Sequence, residues 1–125
     1  PWTMERVLDT FPRLGQRINH DGALLSGGEQ QMLSIGRALT TNPDLMILDE
    51  ATEGLAPLIR DEIWKIIRTI KATGISTIIV DKNIDNLLEV AEKQLLLVKG
   101  EVMYSGDSQG LKDNPALLET HLGVA

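Results

Sequence analysis

Apolar residues recur at helical spacing through much of the chain, and short apolar or β-branched runs interrupt that rhythm where strands are expected. Met4, Val7, Leu8, Phe11 and Leu14 fall at steps of one, three or four, which predicts a short helical element within residues 1–20 that Pro12 stops or kinks. A longer helix is predicted from Ser26 to about Thr41. Ser26 can cap it, Glu29 stands three residues on as in a capping box, and Met32, Leu33, Ile35, Gly36 and Leu39 form its buried face. Asn42-Pro43-Asp44 ends it, and the run Leu45-Met46-Ile47-Leu48 reads as a strand buried on both faces of a parallel sheet. Residues 51–56 read as loop.

The clearest helix follows. Pro57 suits a first helical turn, Ile59, Ile63, Ile66, Ile67 and Ile70 define one apolar face, and Gly74 marks the stop. Ile75 to Val80 is a β-branched strand, so strand, helix and strand make a βαβ unit with a right-handed crossover. A further helix is expected over about Ile84 to Ala91. Strands Gln94 to Val98 and Glu101 to Ser105 are joined through Lys99-Gly100, a hairpin-like turn, and a last helix lies around Pro115 to Leu122. The fold class is α/β: a parallel sheet core with flanking helices and a C-terminal β-hairpin. No repeat or low-complexity tract interrupts it.

Composition narrows the options. With 125 residues, 42% of them hydrophobic, the chain supports one compact core and is short for two ordinary domains. A formal net charge of −6 disfavours a general grip on nucleic acid or an anionic membrane surface. The absence of cysteine excludes a disulfide framework and thiolate metal sites. No apolar run reaches the roughly 18 residues of a membrane span, and the start at Pro1-Trp2-Thr3 reads as that of an excised piece.

Candidate chemistry concentrates in two places. Ser26-Gly27-Gly28 opens a helix, where free backbone N–H groups and a positive dipole end suit an anion. Asp49-Glu50, 23 positions after Ser26, closes the first strand, and paired carboxylates there can handle a metal and a water. Each feature alone has an ordinary structural explanation, as a helix start or as acidic residues capping a loop. Their order and continuation carry more. A phosphate loop of the form G-x-x-x-x-G-K-[ST] occurs nowhere in the chain.

Leu25-Ser26-Gly27-Gly28-Glu29-Gln30-Gln31-Met32-Leu33, Gly36-Arg37-Ala38-Leu39 and the strand ending Asp49-Glu50 resemble the signature motif, signature helix and Walker B strand of the ATP-binding-cassette ATPases. The fold implied is a partial P-loop NTPase. Residues 1–125 would be the carboxyl-terminal portion of such a domain, with about 1–41 the end of its helical subdomain and signature helix and about 42–125 the remainder of its core. In that family two subunits face each other head to tail. The resemblance therefore implies that Ser26, Gly27 and Gly28 touch the γ-phosphate of ATP held by a second ATPase subunit, and that Glu29, at a position where many members carry Gln, belongs to the same nucleotide-binding motif. It further implies that Asp49 holds Mg²⁺ and that Glu50 is the catalytic base for the attacking water.

With Phe11-Pro12-Arg13-Leu14 and Gly54-Leu55-Ala56-Pro57-Leu58-Ile59 included, the chain is similar to the ATPase subunits of branched-chain amino-acid importers. Ala51 replaces the usual proline after the glutamate, and Ala56 falls where the wider family has an aspartate. Lys82, in Asp81-Lys82-Asn83, takes the place of the family's switch histidine; a lysine offers charge and donors but no acceptor. The partners implied are integral membrane permease subunits and, indirectly, a periplasmic binding protein, without nucleic acid, at the cytoplasmic face of the inner membrane. Two other readings belong to different classes: a non-catalytic partner that completes another subunit's site in trans, and a nucleic-acid-associated ATPase of the same family. The acidic charge and the lack of zinc cysteines speak against the second. His20 and His121 lack metal-ligand spacing, and Trp64 reads as a core residue.

Overall fold

The computed structural model describes residues 1–16 and 27–122, so Ser26 and His20 lie outside the described residues. Where length and composition suggest one compact core, the chain forms two compact units, Pro1–Asp81 and Lys82–Ala125. The first contains α1 (Met4–Thr10), α2 (Pro12–Gln16), α3 (Gly27–Leu39), β1 (Leu45–Asp49), α4 (Pro57–Ala72) and β2 (Ser76–Val80). The second contains α5 (Ile84–Val90), β3 (Lys93–Val98), β4 (Glu101–Asp107), α6 (Ser108–Lys112) and α7 (Pro115–Leu122).

In the first unit, Thr3 caps α1 by accepting from the Arg6 N–H at 3.2 Å, and the Arg6 guanidinium lies 4.1 Å from the centre of the Trp2 ring, a cation–π arrangement. Asn42, in the left-handed conformation at φ 50°, accepts from the Trp2 N–H at 2.5 Å and donates to the Trp2 carbonyl at 3.2 Å. The start of the chain is thereby fastened to the turn between α3 and β1. Asparagine is among the few side chains that populate this backbone region readily.

α4 buries the face its sequence predicts: Ile63, Trp64, Ile66, Ile67 and Ile70 are buried, and Pro57 stands in its first turn. Phe11, Met32, Leu39, Ile63, Trp64, Ile67 and Ile70 are the largest fully buried side chains. Arg13 on α2 meets Glu62 on α4 in a two-pronged contact, Nε to Oε2 at 2.6 Å and Nη2 to Oε1 at 2.8 Å. Beside that pair lies a cleft of about 360 Å³ whose lining includes Phe11, Met32, Lys65 and Ile66.

β1 and β2 pair in parallel, Leu45 opposite Ser76 through Asp49 opposite Val80, as the βαβ reading requires. The expectation that β1 is buried on both faces is corrected. Met46 and Leu48 are buried, whereas Leu45 and Ile47 are 50% and 63% exposed, and Ile78 and Val80 on β2 are each 50% exposed. Successive strand side chains point to opposite faces, so one face of this pair meets the core and the other remains open.

In the second unit, β3 and β4 form an antiparallel hairpin with a register irregularity between Leu96 and Leu97. Lys99 and Gly100 turn it with φ of 50° and 81°, the two left-handed residues of a type I′ turn. β4 runs two residues past the expected Ser105, to Asp107, and the single-turn helix α6 follows where none was expected. The Asp107 side chain accepts from the Gly110 N–H at 2.7 Å, an N-cap that supports one turn. Ser108 is buried, and its hydroxyl donates to the Ala91 carbonyl. Gln94 Nε2 donates to Ser108 Oγ at 3.0 Å and to the Leu87 carbonyl at 2.8 Å, tying α5, β3 and α6 together.

Candidate functional site: the carboxylate turn after β1

The parallel pairing of β1 and β2 fixes where the two carboxylates emerge. Asp49, opposite Val80, is the last residue of β1, and the next residue, Glu50, leaves the strand with φ 52°. A left-handed backbone costs a side-chain-bearing residue about 1–2 kcal/mol, and residues held there against that cost collect at functional sites. The Glu50 N–H donates to the Val80 carbonyl at 2.7 Å, so the ladder extends one bond beyond the strand. The chain then tightens into a turn, with the Glu53 N–H donating to the Glu50 carbonyl at 3.2 Å and the Leu55 N–H to the Thr52 carbonyl at 3.4 Å.

Within this turn the burial is sharply divided. Asp49 and Glu50 are exposed, while Ala51 and Thr52 are 4% and 3% exposed. The Thr52 hydroxyl donates to Asp81 Oδ2 at 2.9 Å. The turn thus presents its two carboxylates outward from a buried base. Sequence reasoning missed Thr52 and Asp81. Their signal was the placement of a hydroxyl three residues after one strand end and a carboxylate one residue after the other, legible once the register is known.

The start of α3 lies against Leu55 of the same loop. Gly27 is exposed, and a Cβ built on it would stand 3.8 Å from Leu55 Cδ2. Gly28 is buried, and a Cβ there would overlap Ile59 Cγ2. Glycine at 28 is therefore a packing requirement between α3 and α4. Glu29 is 6% exposed; its negative charge also acts on Arg13, whose guanidinium is held above its ordinary range first by the hydrogen bond to Glu62, then by the charge of Glu62 and last by that of Glu29. Gly27 and Gly28 therefore rest on Leu55 of loop 51–56 and on Ile59 of α4. Lys82 is exposed and begins the second unit. His121, at the end of α7, is half-buried.

Among the described residues no group of three or more His, Asp or Glu side chains could hold a metal ion. The donors at the end of β1 instead fit Mg²⁺ held jointly with a nucleotide, because that ion is ordinarily bound through one or two carboxylates, waters and substrate phosphates. Asp49, an exposed carboxylate at a strand end, suits that arrangement. No helix among the described residues is long and apolar enough to cross a membrane.

The architecture matches nucleotide-binding cassettes. The ADP conformation of MJ1267, an ATP-binding cassette of an ABC transporter, superposes with a TM-score of 0.77 and 26% identity over 91% of this chain and 46% of that one. The ABC transporter family profile matches residues 2–53. The chain belongs to the ABC transporter ATP-binding family. Among curated relatives, it is 38% identical to the high-affinity branched-chain amino acid transport ATP-binding protein BraG of Pseudomonas aeruginosa, over 96% of this chain and 52% of that protein. It is also 36% identical to the lipopolysaccharide export system ATP-binding protein LptB of Acidithiobacillus ferridurans, over 82% of this chain and 42% of that protein. The chain spans about half the length of the curated relatives it matches.

Proposed function

We propose that these residues form the signature and Walker B half of an ATP-hydrolysing transporter subunit, one that powers uptake of branched-chain amino acids. The observation that carries the catalytic part is the left-handed Glu50, held by its N–H on the Val80 carbonyl beside the exposed Asp49. In this reading Glu50 orients and deprotonates the attacking water, and Asp49 holds Mg²⁺, which neutralises charge on the phosphates when bound. The segment Ser26-Gly27-Gly28 meets the γ-phosphate of ATP bound by a second cassette, with backbone N–H groups as donors. Lys82 adds positive charge near the nucleotide of its own subunit.

The division of labour follows from what the chain holds. It has a carboxylate turn and a helix start but no phosphate loop, so nucleotide binding needs the complementary half of a cassette. Permease subunits at the cytoplasmic face of the inner membrane, served by a periplasmic binding protein, would be its transport partners. Support for the amino-acid substrate comes from the likeness to BraG and from the Gly54-Leu55-Ala56-Pro57 loop; the likeness to LptB is the reason a transport assay is needed. A complete cassette carrying this sequence, reconstituted with its permeases, is expected to import leucine, isoleucine and valine at the expense of ATP. Hydrolysis stimulated by other solutes but not by these three would remove the substrate assignment.

A further inference from the structure

We infer that Thr52 and Asp81 form a positioning pair that fixes the Glu50 carboxylate, an inference that rests on the catalytic reading of Glu50 above. The turn after β1 is fastened to the end of β2 at two points. One is the backbone bond from the Glu50 N–H to the Val80 carbonyl at 2.7 Å. The other is the side-chain bond from the Thr52 hydroxyl to Asp81 Oδ2 at 2.9 Å. The two ties fall on either side of Ala51 and end on consecutive residues, Val80 at the end of β2 and Asp81 just beyond it.

A turn held by one hydrogen bond can rock about it, whereas two bonds spaced two residues apart fix its orientation. The need for the second tie is visible in the backbone. Glu50 sits at φ 52°, a conformation that relaxes toward the right-handed region unless its surroundings over-determine it. Thr52 is 3% exposed, so its hydroxyl is removed from bulk water and depends on a protein partner. That partner is a carboxylate, and hydrogen bonds to an ionised acceptor are the stronger kind. Neither Thr52 nor Asp81 touches the reacting atoms in this arrangement. Their work is to hold Glu50 where its carboxylate meets the water.

The test uses a complete cassette carrying this sequence, with steady-state ATP hydrolysis and thermal unfolding measured on Thr52→Val, Thr52→Ser, Asp81→Ala and the Thr52→Val/Asp81→Ala pair. Thr52→Val keeps shape and removes the donor, and it is expected to lower kcat roughly tenfold to a hundredfold, as small displacements of a catalytic group do. KM for ATP should stay within about twofold, since ground-state binding is not involved. Thr52→Ser, which restores the hydroxyl, should recover most of kcat. The double variant should be no slower than the slower single one, because both substitutions break one contact.

Wild-type kcat in Thr52→Val, or equal loss in Thr52→Val and Thr52→Ser, would overturn the pairing. Should Asp81→Ala fail to fold, the comparison of valine with serine at position 52 still decides. Glu50→Gln in the same cassette separates the two levels. If it hydrolyses ATP at the wild-type rate, the catalytic reading itself fails; if it is inactive while Thr52→Val is unimpaired, only the positioning role fails.

Discussion

Gly28 on α3 packs against Ile59 on α4 so closely that a methyl group at position 28 would overlap Ile59 Cγ2. The obstructing atom sits on a β-branched side chain with little rotamer freedom, so the helices themselves must yield. Overpacking of this kind typically costs about 1–3 kcal/mol, partly offset by the roughly 1 kcal/mol that alanine gains over glycine within a helix. Gly28→Ala is expected to lower the chemical denaturation midpoint. Adding Ile59→Ala, which removes the obstructing methyl, should leave the double variant more stable than the sum of the two single losses predicts. Strict additivity would show that α3 and α4 do not meet at this point.

The pair between Arg13 and Glu62 predicts the shape of the acid limb of stability. The hydrogen bond from Arg13 holds the Glu62 carboxyl below its ordinary range; partial desolvation opposes this, and the charges of Arg13 and Lys65 assist it. A carboxyl depressed in the folded state contributes stability above its unfolded pKa, and that contribution is lost as pH falls through the folded pKa. Glu62→Gln should therefore differ from wild type at neutral pH and converge with it in strong acid. The two side chains are 43% and 39% exposed, so added salt should shrink the difference. Urea midpoints measured across pH at low and high salt check this, and a difference that persists below the carboxyl range would contradict it.

Tyr104, the single tyrosine of the chain, offers a direct probe of the second unit. Its phenol is raised above the ordinary range, first by desolvation and then by the carboxylates of Asp107 and Asp113. Its hydroxyl donates to the Asp107 carbonyl at 2.6 Å. With the folded pKa above the unfolded one, the stabilising contribution is complete below the unfolded pKa and is lost as pH rises through the folded value. Phenolate absorbance should appear at higher pH in the folded chain than in denaturant, and Asp107→Asn, which can still cap α6, should narrow the gap. Coincident titrations in the folded and unfolded states would contradict this account.

Much of this fold is written locally. Pro57, the isoleucine spacing and Gly74 delimit α4, and Lys99-Gly100 announces the hairpin, because caps and turns depend on neighbouring residues. The open face of β1 was not legible: the run Leu45 to Leu48 records that apolar side chains point both ways, not whether both faces are covered. α6 escaped notice because its single turn depends on the Asp107 cap and a buried Ser108. The site divides in the same way. Asp49-Glu50 stands out as a motif, whereas the Thr52 bond to Asp81 spans 29 residues and exists only through the parallel register.

Lys82 directly follows Asp81 and is exposed. Under the proposed reading it stabilises charge on the γ-phosphate and does not shuttle a proton. In a complete cassette, Lys82→Ala is expected to slow hydrolysis roughly tenfold, the scale of a lost hydrogen bond to a charged group, while Lys82→Arg retains part of the rate. Unchanged turnover of the alanine variant at saturating ATP would leave Lys82 as a solvated residue after β2.

The central claim is that the left-handed residue after β1 is the base for ATP hydrolysis, and single-turnover hydrolysis by a complete cassette with Glu50→Gln tests it most directly. The amide preserves size and the turn but cannot accept the proton, and loss of a positioned base costs about 10²–10⁴ in rate. The account predicts a loss of that size with ATP affinity retained. A variant that turns over bound ATP at the wild-type rate would contradict it.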